Sequence, residues 1–118
     1  MIKDIDYGML SLSTEELELL LGEGLLSDQI GSKPIRDKEK KEISQRWFYK
    51  KLDLMADILC NDHFVQTEIL SKKVTDRNII LSTLVDALSS AFGMVPISVL
   101  AAMLIKYGLE KLCCEGER

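Results

Sequence analysis

Cys60 and His63 are spaced C-x-x-H, and Cys113 and Cys114 stand side by side, so the ligands for one tetrahedral zinc site exist if two helix ends meet. The spacing argues against such a site. Adjacent cysteines on a helix point about 100° apart, His63 is the only histidine, and zinc modules usually draw two close ligand pairs from tight turns. The expectation is no metal. Cys60 and one of Cys113 and Cys114 then act as small buried apolar side chains, with the other thiol partly exposed. Asp53 and Asp57 lie one helical turn apart and have the donors for Mg2+, but Lys50 and Lys51 beside them make a solvated charged face the simpler reading. The sequence has no P-loop, G-x-G-x-x-G or G-x-S-x-G, and its scattered serines are not spaced to form a nucleophile, base and orienting group with one histidine. No catalytic residue and no cofactor is expected.

The chemistry of recognition is better represented. Trp47, Phe48 and Tyr49 are consecutive and are followed by Lys50 and Lys51. Three successive aromatics on a helix cannot all face one core, so Tyr49 is either covered by the N-terminal region or open to a partner. These five residues form the candidate partner-binding set, the rings as anchors and the lysines steering an acidic partner.

Charge is laid out in blocks. Up to Ser32, the acidic Asp4, Asp6, Glu15, Glu16, Glu18, Glu23 and Asp28 are opposed only by Lys3, a net of −6. From Lys33 to Lys51, eight basic residues outnumber Asp37, Glu39 and Glu42, a net of +5. The blocks either form solvated faces that touch each other or provide a docking patch for a charged partner. The basic segment raises nucleic-acid binding as a third reading. It is disfavoured because acids alternate with the bases, the whole chain carries −4, and no helix-turn-helix with polar recognition residues is visible.

The elements that must position these residues read as helices. Ser13 and Glu16 fit a capping box, so a short helix should start at Thr14 and be stopped near Leu21 by Gly22 and Gly24. Gly31-Ser32-Lys33-Pro34 breaks the chain, and residues from Ile35 to about Asn61 contain neither Gly nor Pro and read as one long helix. On it Ile43, Trp47, Leu54 and Ile58 form one apolar stripe, and Phe48, Leu52, Met55 and Leu59 a second roughly 120° away, which predicts two neighbours. Residues 64–74 read as a further helix with an irregular period. Thr75 or Asp76 can cap a helix over residues 77–92, which Gly93 ends. After Pro96 the chain is apolar almost all round to about Cys114, so that last helix should be central, with Ala101 and Gly108 admitting close helix approach.

From Ala87 to Ile105 no charge occurs, which raises a membrane-associated alternative, but Ser89, Ser90, Gly93, Pro96 and Ser98 interrupt the stretch and two packed helices explain it better. An odd number of cysteines and the lack of a signal-like opening lead to an expectation of a reduced, cytoplasmic chain. With 118 residues and 47% hydrophobic side chains, one compact unit can bury a core. The expected fold is all-α: an acidic arm with a short helix over residues 1–32 packed on the outside, then a bundle over residues 33–118, four to five helices in all with a buried C-terminal helix flanked by the helix over residues 77–92 and the long helix from Ile35. The expected function is non-enzymatic protein–protein interaction by a small accessory or adaptor protein, its partner another protein or a second copy of itself.

Overall fold

Ser13 opens the first helix by local chemistry alone. In the computed structural model of the chain, which describes residues 5–26, 36–93 and 95–114, the Glu16 backbone N–H donates to Ser13 Oγ at 3.1 Å and the Ser13 N–H donates to Glu16 Oε1 at 2.8 Å. Two amides with no intrahelical partner are thereby satisfied. A 3-10 turn over Tyr7–Ser11 precedes α1 (Thr14–Leu25). Next come α2 (Asp37–Lys50), α3 (Leu52–Cys60), one π-helical turn over Val65–Ile69, α4 (Arg77–Leu88), α5 (Ile97–Tyr107) and α6 (Leu109–Cys114). No strand occurs among the described residues, and the fold is all-α. The breaker at residues 31–34, the boundary drawn after Ser32 and Pro34 as a first helical position all lie outside the described residues.

Six consecutive residues of α5, Val99 to Leu104, are buried, as expected of a helix apolar all round. α1 and α4 flank it, and α2 packs chiefly on α1. The arm helix is therefore not an outer layer: Leu17 and Leu21 are fully buried in the same cluster as Leu100 and Leu104. Gly22 and Gly24 do not stop α1, which continues to Leu25. Their use is close approach. A Cβ on Gly22 would lie 2.6 Å from the Lys40 carbonyl oxygen, and one on Gly24 would lie 2.5 Å from Pro96 Cδ.

The single long helix expected after residue 35 is two helices, α2 and α3, with Lys51 (φ −94°, ψ 1°) between them. The ladder persists across the bend, since the Lys51 N–H donates to the Trp47 carbonyl and the Lys51 carbonyl accepts from the Met55 N–H, both at 3.0 Å. The bend follows from the two stripes. α2 is mostly polar and lies on α1, whereas α3 turns its apolar side to α4 and α6. The stripe of Phe48, Leu52, Met55 and Leu59 is wholly buried, while the other is only partly covered and leaves Leu54 44% exposed.

Three further expectations are corrected. Residues 64–74 are helical only in their first half: helix runs to the end of the π turn at Ile69, in which the Leu70 N–H donates to the Val65 carbonyl, and then Lys72 takes φ +67° and the chain leads into the Asp76 cap of α4. The C-terminal helix is split at Gly108, whose φ of +107° suits glycine. Space is not what requires glycine here, because a Cβ would meet only Lys111 Cβ at an ordinary 3.6 Å. Finally, Cys60 and Cys113 form a disulfide, with Cα atoms 5.4 Å apart, where free thiols were expected. The fold brings α6 onto α3 and so joins residues 53 positions apart, a proximity that local spacing does not encode. The bond removes the ground for reading the chain as reduced. The uncharged residues 87–105 are divided between the end of α4, a turn and most of α5, and no described helix is long and apolar enough to cross a membrane.

Candidate docking cleft

α1 and α2 meet through the charge blocks noted in the sequence. Lys40 pairs with Glu23 at 3.1 Å and Lys41 with Glu15 at 3.5 Å, and Gln45 Nε2 donates to Glu18 Oε2 at 3.2 Å. Beneath these contacts the buried Ser44 hydroxyl donates to the Glu18 carbonyl, which satisfies the one buried polar side chain among the described residues. The acidic and basic segments thus touch, and two of the lysines that suggested nucleic-acid binding are taken up by glutamates.

Where α1, α2 and α5 converge, an aromatic corner forms. The Phe48 ring packs edge-on against Tyr49 at 5.7 Å and Tyr107 at 5.8 Å, and Tyr49 and Tyr107 are 6.5 Å apart. The three rings belong to two helices, so packing α2 near the end of α5 creates the corner. Thr14, Glu18, Gln45, Met103 and Lys106 complete a cleft of about 130 Å3. That is small beside the roughly 300–1,000 Å3 of cofactor and small-molecule sites, and it suits a single apolar side chain. Tyr49 is 62% exposed at its mouth. A shallower depression lined by Glu42, Gln45, Arg46 and Tyr49 continues along α2. Lys111 Nζ sits over the Tyr107 ring, 4.6 Å from its centre.

Of the five candidates from sequence, the structure brings Phe48 and Tyr49 to the cleft, Phe48 as its floor at 5% exposure and Tyr49 as its rim. Trp47 points elsewhere and packs edge-on against Phe92 at 5.7 Å, so it holds α2 to the turn after α4. Lys50 is exposed beside Tyr49, and Lys51 is half-buried at the α2–α3 bend. Sequence reading missed Tyr107, Met103, Lys106, Gln45, Thr14 and Glu18. One signal was available for Tyr107 and Lys106: they stand where the apolar run of α5 first turns polar, directly before Gly108.

The zinc alternative loses two of its three thiols, Cys60 and Cys113, to their mutual bond, and His63 lies exposed. Among the described residues no group of three or more His, Cys, Asp or Glu side chains could hold a metal ion. Comparison with known families, curated proteins and solved structures found no match for this chain.

Proposed function

We propose that the chain is a non-enzymatic protein–protein interaction module, a small accessory or adaptor protein that docks a partner in the α1–α2–α5 cleft. The observation that carries this reading is Tyr49: a large ring, 62% exposed, backed by the buried Phe48 and edged by Tyr107. Aromatic side chains that are rigidly backed and open on one side are the usual anchors of protein interfaces. The charge of the partner follows from the rim. Lys106 lines the cleft and Arg46 the depression beside it, neither with an ion-pair partner among the described residues, and the exposed Lys50 follows Tyr49 in the chain; against these three cations stand Glu42 in the depression and Glu18, which accepts from Gln45. A segment with an apolar or aromatic side chain flanked by acids fits that pattern.

A second copy of the chain is the other partner to consider, since Leu54 stays 44% exposed on the partly covered stripe. Selection from a random peptide library on the wild-type protein and on Tyr49→Ala tests the main reading, with light scattering over a concentration series run beside it. Acidic peptides carrying an aromatic or bulky apolar residue should enrich on the wild type. Tyr49→Ala should weaken them by about 2 kcal/mol, roughly 30-fold, as loss of an anchor does. Its folding stability should change by less than about 1 kcal/mol, the usual scale for an exposed side chain. No common motif, together with a monomer at every concentration, would sink the proposal.

A further inference from the structure

α6 has six residues, far fewer than the roughly 12–15 a helix needs to persist unaided, so its position is set by its ties. These include the buried Leu112, the partly buried Leu109 packed against the core, an exposed Lys72–Glu110 ion pair at 2.9 Å, Lys111 over Tyr107, and the Cys60–Cys113 bond. The disulfide is the one covalent tie. Both of its cysteines are half-buried, within reach of a small reductant. Gly108, at φ +107°, is the joint between α6 and α5. The residue before that joint is Tyr107, a wall of the docking cleft.

We infer that the Cys60–Cys113 disulfide is a redox latch on the cleft: oxidised, it holds α6 so that Tyr107 is kept against Phe48 and Tyr49, and reduced, it lets α6 swing away at Gly108. The inference rests on the docking reading and adds its regulation. Reduction is two successive thiol–disulfide exchanges with a dithiol. One thiolate of the dithiol attacks a sulfur of the pair and displaces the other, and its second thiol then resolves the mixed disulfide. Two electrons and two protons end on Cys60 and Cys113, and the dithiol becomes a disulfide. Lys111 then leaves the Tyr107 ring, and the ring loses that cation contact. α1 and α2 are tied to each other by separate contacts, so the change is confined to one side of the cleft.

The full chain carrying Cys114→Ser, which leaves one possible disulfide, is the protein to use, oxidised and then treated with increasing dithiothreitol. Amide hydrogen exchange is read by segment at short labelling times, and the Tyr107 ring signals by NMR. Reduction should strip protection from residues 108–114 by at least about tenfold while α1, α2 and α5 remain protected, and the Tyr107 ring signals should shift. Cys60→Ser in the same background should reproduce the reduced pattern without dithiol, and the stepwise titration gives the answer even if that variant folds poorly. Unchanged protection in 108–114, unshifted Tyr107 signals, or loss of α5 protection together with α6 would each overturn the latch. Failure of the docking reading would appear instead in the peptide selection, which involves no reductant.

Discussion

α1 and α2 lie against each other over most of their length, with Gly22 letting the Lys40 backbone approach and ion pairs along the edge, whereas α3 and α6 meet over fewer than two turns and are joined by Cys60–Cys113. The long contact buries Leu17 and Leu21 and closes around Ser44, so apolar packing and one satisfied polar group hold it without a covalent bond. The short contact buries Leu112. An interface of that size recovers little apolar area, and a cross-link closing a loop of this length offsets the deficit by about 4 kcal/mol in the chain-entropy account. Helix length therefore decides which kind of tie a pair of helices needs.

The largest expected effect breaks the short contact. Cys60→Ser should lower the free energy of unfolding by about 2–4 kcal/mol, measured by urea unfolding with the slope fitted for each protein, since the unlinked denatured chain exposes more surface. A loss near zero would mean that Leu112 and the polar ties alone secure α6, and the contrast between the two pairs would disappear.

Gly22→Ala probes the long contact with a smaller effect whose sign is informative. In an open helix the change would stabilise by up to about 1 kcal/mol through backbone entropy. Here the new Cβ would stand 2.6 Å from a carbonyl oxygen, so α1 and α2 must separate, and a net loss of about 1–2 kcal/mol is expected in thermal or urea unfolding. A gain would show that the helices are not in close contact at this point.

The smallest effect tests whether charge holds the long contact. Lys41 pairs with a Glu15 whose side chain is 77% exposed, so Lys41→Ala should cost less than about 0.5 kcal/mol. A double-mutant cycle with Glu15→Ala returning more than about 1 kcal/mol of coupling would move the ion pairs from the edge of the account to its centre.

Much of the framework was legible in the residues themselves. The Ser13–Glu16 box, the Asp76 cap, the buried α5 and the stripe of Phe48, Leu52, Met55 and Leu59 are read from neighbours within a turn or two, which is the range over which capping and helical periodicity act. Two of the three rings in the cleft could be anticipated for the same reason. Phe48 and Tyr49 announce themselves by adjacency, but Tyr107 joins them from nearly sixty residues away through the packing of α2 near the end of α5. Trp47 misled because its adjacency to the other two rings says nothing of its direction, and its partner Phe92 stands beyond α4.

The same division runs through the glycines and cysteines. A glycine read locally is a helix stop, yet Gly22 is retained inside α1 because of a carbonyl on another helix, and Gly108 ends α5 where it was read as a packing position. Two cysteines separated by 53 positions look unrelated until a π turn, α4 and α5 fold between them. What the chain determined by itself is where helices begin, which faces are apolar and how charge is blocked out, because those depend on side chains within hydrogen-bonding or helical-repeat distance along the backbone. Which faces meet, where the long helix bends and which rings share a corner were decided only by the tertiary structure, because each is settled by competition among apolar surfaces that are far apart in sequence for the same buried volume.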